Sequence, residues 1–192
     1  MTSPSIAVER PRTGTGRREE IVRIAATILE REGPDGLTMR AIATELGIKA
    51  PSLYKHIADK QELEVALVAD GLRQQTVAFE AALGVDGDPA MAIAEAYHRW
   101  ALAHPHLYTL MNGQPLPRHR LPEGVQDRSI QLVVRSFGGD RERARAAWAF
   151  AHGMVTLELA GRFPPDADLR RTWRLGIASI AHPPQTREGT TR

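Results

Sequence analysis

Apolar residues recur along most of this chain at intervals of three and four. Ile21, Ile24, Ala25, Ile28 and Leu29 trace one stripe, and Gly33 followed by Pro34 closes it, so the pattern predicts a first helix over 17–32. Thr38 is a good N-cap for a short second helix whose inner face is Ile42 and Leu46, with small Ala41 and Ala43 permitting close helix contact. Gly47 ends it. Ile48 is placed to plug the core, and Pro51 sits in the first turn of a third helix, where its missing N–H costs nothing. Leu53 and Ile57, four apart, hold that helix down. Asp59 with Glu62 forms a D-x-x-E variant of the capping box ahead of Leu63, Ala66 and Leu67. A long fourth helix follows, reaching Ala82 or Leu83 before Gly84.

Asp88 and Pro89 start a fifth helix running to about His104, and Pro105 begins a short sixth through Met111. The segment NGQPLPRHRLPEG reads as loop. Further helices are expected over 122–137, from Asp140 to about Arg162, and from Asp166 to about Ala181. No window sustains the period-two alternation of a strand, so the fold class is all-α. Residues 1–16 are rich in Pro, Gly, Ser and Thr and read as a disordered basic arm, and 183–192 as a flexible tail. Between them the expected domains are 17–64, a helix-turn-helix unit, and 65–182, a larger helical unit.

Composition narrows the function classes. With 42% apolar residues the chain can build a real core, and with no cysteine it has neither disulfides, nor a thiolate metal site, nor a cysteine nucleophile. No signal-peptide core and no run of eighteen apolar residues is present, so a cytoplasmic protein without membrane attachment is expected. The net charge of +2 is too small to indicate a polyanionic partner. Its distribution says more: 61–114 is acidic and both flanks are basic. All three lysines, Lys49, Lys55 and Lys60, fall in one stretch, whereas every other basic side chain is arginine.

Two short helices joined by a Gly-centred turn allow the second to enter a DNA major groove. With Leu53 and Ile57 buried, Lys49, Ala50, Pro51, Ser52, Lys55 and His56 lie toward the outer face or N-terminal end of the third helix. Ser52 can exchange hydrogen bonds with a base edge, and Ala50 or Pro51 can meet a thymine methyl. Lys49, Lys55 and Lys60, with the Tyr54 hydroxyl, suit phosphate oxygens. Alternatively, Tyr54 packs beneath the first helix and the lysines form a solvated face. Arg10, Arg12, Arg17 and Arg18 could reach an adjacent minor groove.

The run Leu46-Gly47-Ile48, then Pro51-Ser52-Leu53-Tyr54-Lys55-His56-Ile57, then Asp59-Lys60, resembles the N-terminal domain of the TetR family of transcriptional regulators. This resemblance, over roughly residues 17–64, implies base contacts from Lys49, Ala50, Pro51 and Ser52. It implies backbone contacts from Thr38, Tyr54, Lys55, His56 and Lys60. Trp148-Ala149-Phe150-Ala151-His152-Gly153, with Leu157 and Leu159 after it, is similar to the WHG-type C-terminal domain found in part of that family. Tyr97-His98-Arg99-Trp100 and His104-Pro105-His106-Leu107-Tyr108 are similar to the same domain. The resemblance implies a palindromic operator, a small-molecule effector whose binding moves helix four and releases DNA, and a homodimer through helices eight and nine.

For the effector, Trp100, His104, Tyr108, Met111, Trp148 and His152 supply the bulky apolar faces with a few polar tips that a pocket between helices needs. Each can equally be core. Ala144, Ala147, Ala151, Val155 and Leu159, continued by Leu169, Trp173, Ile177 and Ile180, form faces suited to a two-fold interface or to the monomer's own core. His98, His104 and His106 lack the spacing of a paired-His site, and no H-E-x-x-H is present, so no metal is expected. Neither G-x-S-x-G, nor G-x-x-x-x-G-K, nor G-x-G-x-x-G occurs, so neither a cofactor nor an enzyme is expected. The sequence therefore predicts a ligand-responsive repressor, with an activator of the same fold or a helical interaction module that binds no DNA as alternatives.

Overall fold

The computed structural model describes residues 14–84, 86–113, 115 and 118–182. Among these the fold is all-helical, and the chain divides into two compact units, Met1–Leu67 and Val68–Arg192. Most of the expected arm and the whole expected tail, with Arg10 and Arg12, lie outside the described residues.

In the first unit, α1 (Gly14–Gly36) begins three residues before the expected start, and its helical path breaks at Gly33, where φ is 74°. That left-handed conformation suits glycine, and Pro34 follows it. Ile21, Ala25, Ile28 and Leu29 are buried, and Ile24 is half-buried. Helix α2 (Met39–Glu45) opens on Thr38, whose Oγ1 accepts the Ala41 N–H at 3.1 Å. Leu37 before the cap and Ile42 on the first turn are both buried, the two positions of a hydrophobic staple. The helix ends in a Schellman motif: Gly47 N donates to Thr44 O at 3.0 Å, and Ile48 N to Ala43 O at 2.9 Å. Gly47 has φ 63°, so the turn is written into that residue.

Helix α3 (Ala50–Leu53) is shorter than expected. Past Leu53 the chain continues in turns, with His56 N and Ile57 N both bonded to Leu53 O. A single helical turn has no stability of its own. Leu53 and Ile57, both fully buried, supply it; each such burial contributes about 1.5–3 kcal/mol. Helix α4 (Lys60–Leu83) then opens on Asp59, whose Oδ1 accepts Glu62 N at 2.7 Å. Glu62 Oε2 in return takes the Ala58 N–H at 2.7 Å, one residue upstream of the usual capping-box partner.

In the second unit α5 (Pro89–Ala103) is central. It packs against α6 (Pro105–Asn112), α7 (Asp127–Ser136), α8 (Arg141–Leu159) and α9 (Leu169–Ala181). Asp88, Asp140 and Asp168 cap α5, α8 and α9. Alanines 90, 94 and 101 of α5 and 144, 147 and 151 of α8 are buried, which lets these helices approach closely. Three boundaries differ from expectation. Helix α7 starts five residues later than Pro122, because Gly124 at φ 71° interrupts a right-handed path. Helix α8 stops at Leu159 because Gly161, at φ 62°, makes a second Schellman motif. Helix α9 starts after Asp168 rather than Asp166, since Asp168 Oδ1 is the one that accepts Arg171 N.

Candidate nucleic-acid interface

Burial divides the stretch from Thr38 to Lys60 into two faces. Leu53 and Ile57 point inward, while Thr38, Lys49, Pro51, Ser52, Tyr54, Lys55 and Lys60 are exposed and Ala50 and His56 half-buried. Tyr54 is 51% exposed, so it does not pack beneath α1. Its hydroxyl and the ammonium groups of Lys49, Lys55 and Lys60 have no partner among the described residues. Thr38 uses its oxygen as an acceptor within the cap, which leaves its hydroxyl proton free to donate.

Two arginines considered for the minor groove are engaged elsewhere. Arg17 pairs with Glu20 at 2.7 Å, and Arg18 donates to Glu62 Oε1 at 2.8 Å and to the His56 carbonyl at 3.4 Å. Arg18 thereby ties α1 to the segment between α3 and α4. Glu62 accepts from Ala58 N and from Arg18 at once, and so fixes the turn that carries His56 and Lys60. The sequence suggested Glu62 only as a cap. Its second partner is 44 residues away, beyond the reach of local pattern reading.

The second unit contains a cavity of about 1050 Å³ bordered by α4 to α9. Of the six residues expected to line a ligand site, Met111 and Trp148 border it. Trp100 and His104 instead flank a smaller hollow of about 490 Å³ between α4 and α5, their rings 5.3 Å apart. Tyr108 and His152 border neither and are tied into a polar chain: Tyr97 donates to Tyr108 at 3.2 Å, and the Tyr108 hydroxyl lies 2.6 Å from His152 Nδ1. Burial, and then the neighbouring Tyr108, raise the Tyr97 phenol well above its usual range, and burial raises Tyr108 as well. Both remain protonated at neutral pH. Trp148 stacks on His152 with ring centres 5.9 Å apart, so two cavity residues, Tyr97 and Trp148, adjoin that chain.

His98, His104 and His106 do not converge. His98 Nε2 lies 2.7 Å from Glu158 Oε2 and its ring packs on Trp173, and no cluster of three His, Asp or Glu residues suited to a metal occurs among the described residues. Nor is any described helix long and apolar enough to cross a membrane.

The stripe Ala144, Ala147, Ala151 and Val155, with Trp173 and Ile177 of α9, is buried inside this unit. Leu159, at its end, is exposed. The opposite face of α8 carries Ala146, Ala149 and Gly153, exposed or half-buried, and α9 presents Leu175 at 68% exposure. The inner stripe closes the monomer's own core, the alternative the sequence left open.

Residues 21–67 match the family model described as bacterial regulatory proteins, tetR family, and residues 90–180 match that described as tetracyclin repressor-like, C-terminal domain. The uncharacterized HTH-type transcriptional regulator Rv0681 of Mycobacterium tuberculosis (strain ATCC 25618 / H37Rv) is 36% identical over 155 residues, covering 75% of this chain and 71% of its own. YobS of Bacillus subtilis (strain 168), an uncharacterized HTH-type transcriptional regulator, is 32% identical over 88% of this chain and 93% of its own. A solved protein of unknown function from Rhodococcus sp. RHA1 superposes with a TM-score of 0.71 at 29% identity, covering 85% of this chain and 92% of that one. The one-turn α3 held by Leu53 and Ile57, the exposed lysines flanking it, and relatives matched over most of their length that are HTH-type transcriptional regulators agree: this chain belongs to the TetR family of DNA-binding transcriptional regulators.

Proposed function

We propose that the protein is a cytoplasmic homodimeric repressor that leaves a palindromic operator when a small molecule occupies the cavity of the second unit. The observation that carries the DNA part is the outer face of α3 and its flanks. Three lysines and a tyrosyl hydroxyl without partners among the described residues flank a weakly polar tip formed by Ala50, Pro51 and Ser52. Lys49, Ala50, Pro51 and Ser52 meet base edges. Thr38, Tyr54, Lys55, His56 and Lys60 hold phosphates and set the register.

Dimerisation through α8 and α9 uses the faces turned away from the monomer core. A Cβ added at Gly153 would meet no atom within 4 Å, so nothing in the monomer calls for glycine there. A mid-helix glycine costs about 1 kcal/mol relative to alanine, and a second helix seated on the small stripe of Ala146, Ala149 and Gly153 gives it a use. Exposed Leu157 and Leu175 border that stripe. The cavity, of drug-molecule size, supports effector binding, with the WHG-type domain as its frame. Bound ligand lowers operator affinity because the two half-sites are no longer held together.

The test is a gel shift on the operator. The Tyr54→Ala/Lys60→Ala double variant, folded by circular dichroism, is expected to lose at least tenfold in affinity. Full retention would show that DNA is read by another face.

A further inference from the structure

Gln75 lies on α4 between Leu72 and Phe79, both buried, and is itself only 7% exposed. Its carboxamide nevertheless has no hydrogen-bond partner among the described residues. The adjacent Gln74 has a partner at each end of its amide: its Nε2 donates to Asp70 Oδ2 at 2.8 Å, and its Oε1 accepts from Trp100 Nε1 at 3.4 Å. The side-chain donor enclosed without a partner among the described residues is Trp173 Nε1. Gln75 differs from it in bordering the cavity, so its unpaired amide opens on that space. A buried amide sealed without a partner is destabilising. One facing a cavity is instead available to whatever fills it.

The rest of the lining states what that occupant is. Phe79, Ile93, Ala94, Met111, Trp148 and Ile177 give apolar walls. The charged lining is four arginines, Arg118, Arg135, Arg141 and Arg145, against a single carboxylate, Asp127, and all five are exposed. Arg118 is bonded to Gln126 and Arg145 to Glu142, while Arg135 and Arg141 have no partner among the described residues. A cationic ligand would find no buried carboxylate to offset its desolvation and would pass an excess of positive charge on the way in.

We propose that this cavity takes an apolar organic molecule without positive charge, and that the Gln75 carboxamide holds a neutral carbonyl or hydroxyl group of it. Ser129 and Tyr97 also border the cavity and are buried, but their hydroxyl protons go to the Gln126 carbonyl and to Tyr108, so Gln75 is the buried amide left to orient the ligand. The proposal deepens the ligand-responsive reading and rests on it for any consequence at DNA.

Three fluorescent probes test it on the full chain: propionyl-dimethylaminonaphthalene, neutral with one ketone; diphenylhexatriene, a hydrocarbon; and a trimethylammonium analogue of the ketone. Gln75→Leu is expected to weaken the ketone about tenfold, the worth of one hydrogen bond, while the hydrocarbon binds as well or better. Gln75→Glu is expected to favour the cationic analogue over the neutral ketone. Equal losses of ketone and hydrocarbon in Gln75→Leu would overturn the proposal, as would a cationic analogue that outcompetes the ketone on the wild type. A gel shift with the ketone present separates the two readings. If the Gln75-dependent preference is found but operator affinity does not change, the cavity assignment stands and the regulatory reading fails.

Discussion

Replacing Lys60 by alanine tests whether the exposed lysines of the first unit neutralise phosphates. Lys60 opens α4, is exposed and has no partner among the described residues, so its removal exposes no core and breaks no ion pair. The proposed dimer on two half-sites presents four phosphate-holding lysines, Lys55 and Lys60 of each protomer. At about 0.9 counterions released per phosphate, log K against log salt should fall with a slope of about −3.6. Between roughly 50 and 200 mM salt that is a loss of about a hundredfold in affinity. Lys60→Ala in both protomers removes two contacts and brings the slope to about −1.8, cutting the loss to about tenfold.

Fluorescence anisotropy of a labelled operator across that salt range measures the slope directly. Arg99→Ala, an exposed arginine of the second unit in the weak pair with Glu95 at 3.7 Å, is the control and should leave the slope alone. A Lys60→Ala slope equal to wild type, with affinity reduced, would refute phosphate neutralisation. The lysine would then act through the geometry of the turn.

Two further perturbations address the supports of the site and the assembly. Gly47→Ala places a side chain at φ 63°, where no atom lies within 4 Å, so its cost is conformational rather than steric, about 1–2 kcal/mol. Thermal unfolding should show a melting point several degrees lower, with Gly47→Asn intermediate, and an unaltered alanine variant would mean that the turn does not depend on the left-handed residue. Gly153→Leu should leave monomer stability equal or improved but convert dimer to monomer by light scattering. Persistence of the dimer at low micromolar concentration would place the interface elsewhere.

The proposed DNA face of the first unit is legible because it is local. Thr38, Gly47, Leu53, Ile57 and Asp59 lie within one short stretch, and each acts through a rule that spacing exposes: a cap, a left-handed stop, an i,i+4 anchor pair. The ion pair of Arg18 with Glu62 is not local, so local pattern leaves Arg18 to solvent or DNA. At the starts of α7 and α9 two signals compete. Asp166 and Asp168 are equal caps by residue type, and only the geometry of Arg171 N selects between them. The cavity was least legible, since its walls come from six helices. Trp100, Trp148 and Trp173 are indistinguishable by type, yet one borders a shallow hollow, one the cavity, and one the core. A signal for Gln75 did exist: it is a polar residue in register with Leu72 and Phe79 on the inner face of α4.

If Lys49, Ala50, Pro51 and Ser52 read bases as proposed, the poverty of that tip bears on how such a protein could be switched. Ala50 and Pro51 offer only apolar contact, Lys49 a mobile charge, and Ser52 a single hydroxyl, so one protomer commands few of the base contacts that discriminate by about 1–3 kcal/mol each. A lone half-site should bind little better than non-specific DNA, at roughly 10⁻⁴ to 10⁻⁶ M. Joining two half-sites at an effective concentration near 1 mM then adds about tenfold to a thousandfold. That gain corresponds to about 1.4–4 kcal/mol, and it vanishes once the protomers can no longer engage both half-sites together. Allosteric couplings of about 1–3 kcal/mol cover most of that range, so they can remove most of the two-site advantage. A richer tip, with an arginine in place of Ser52, would bind each half-site more tightly and leave a ligand of the same coupling energy unable to release it.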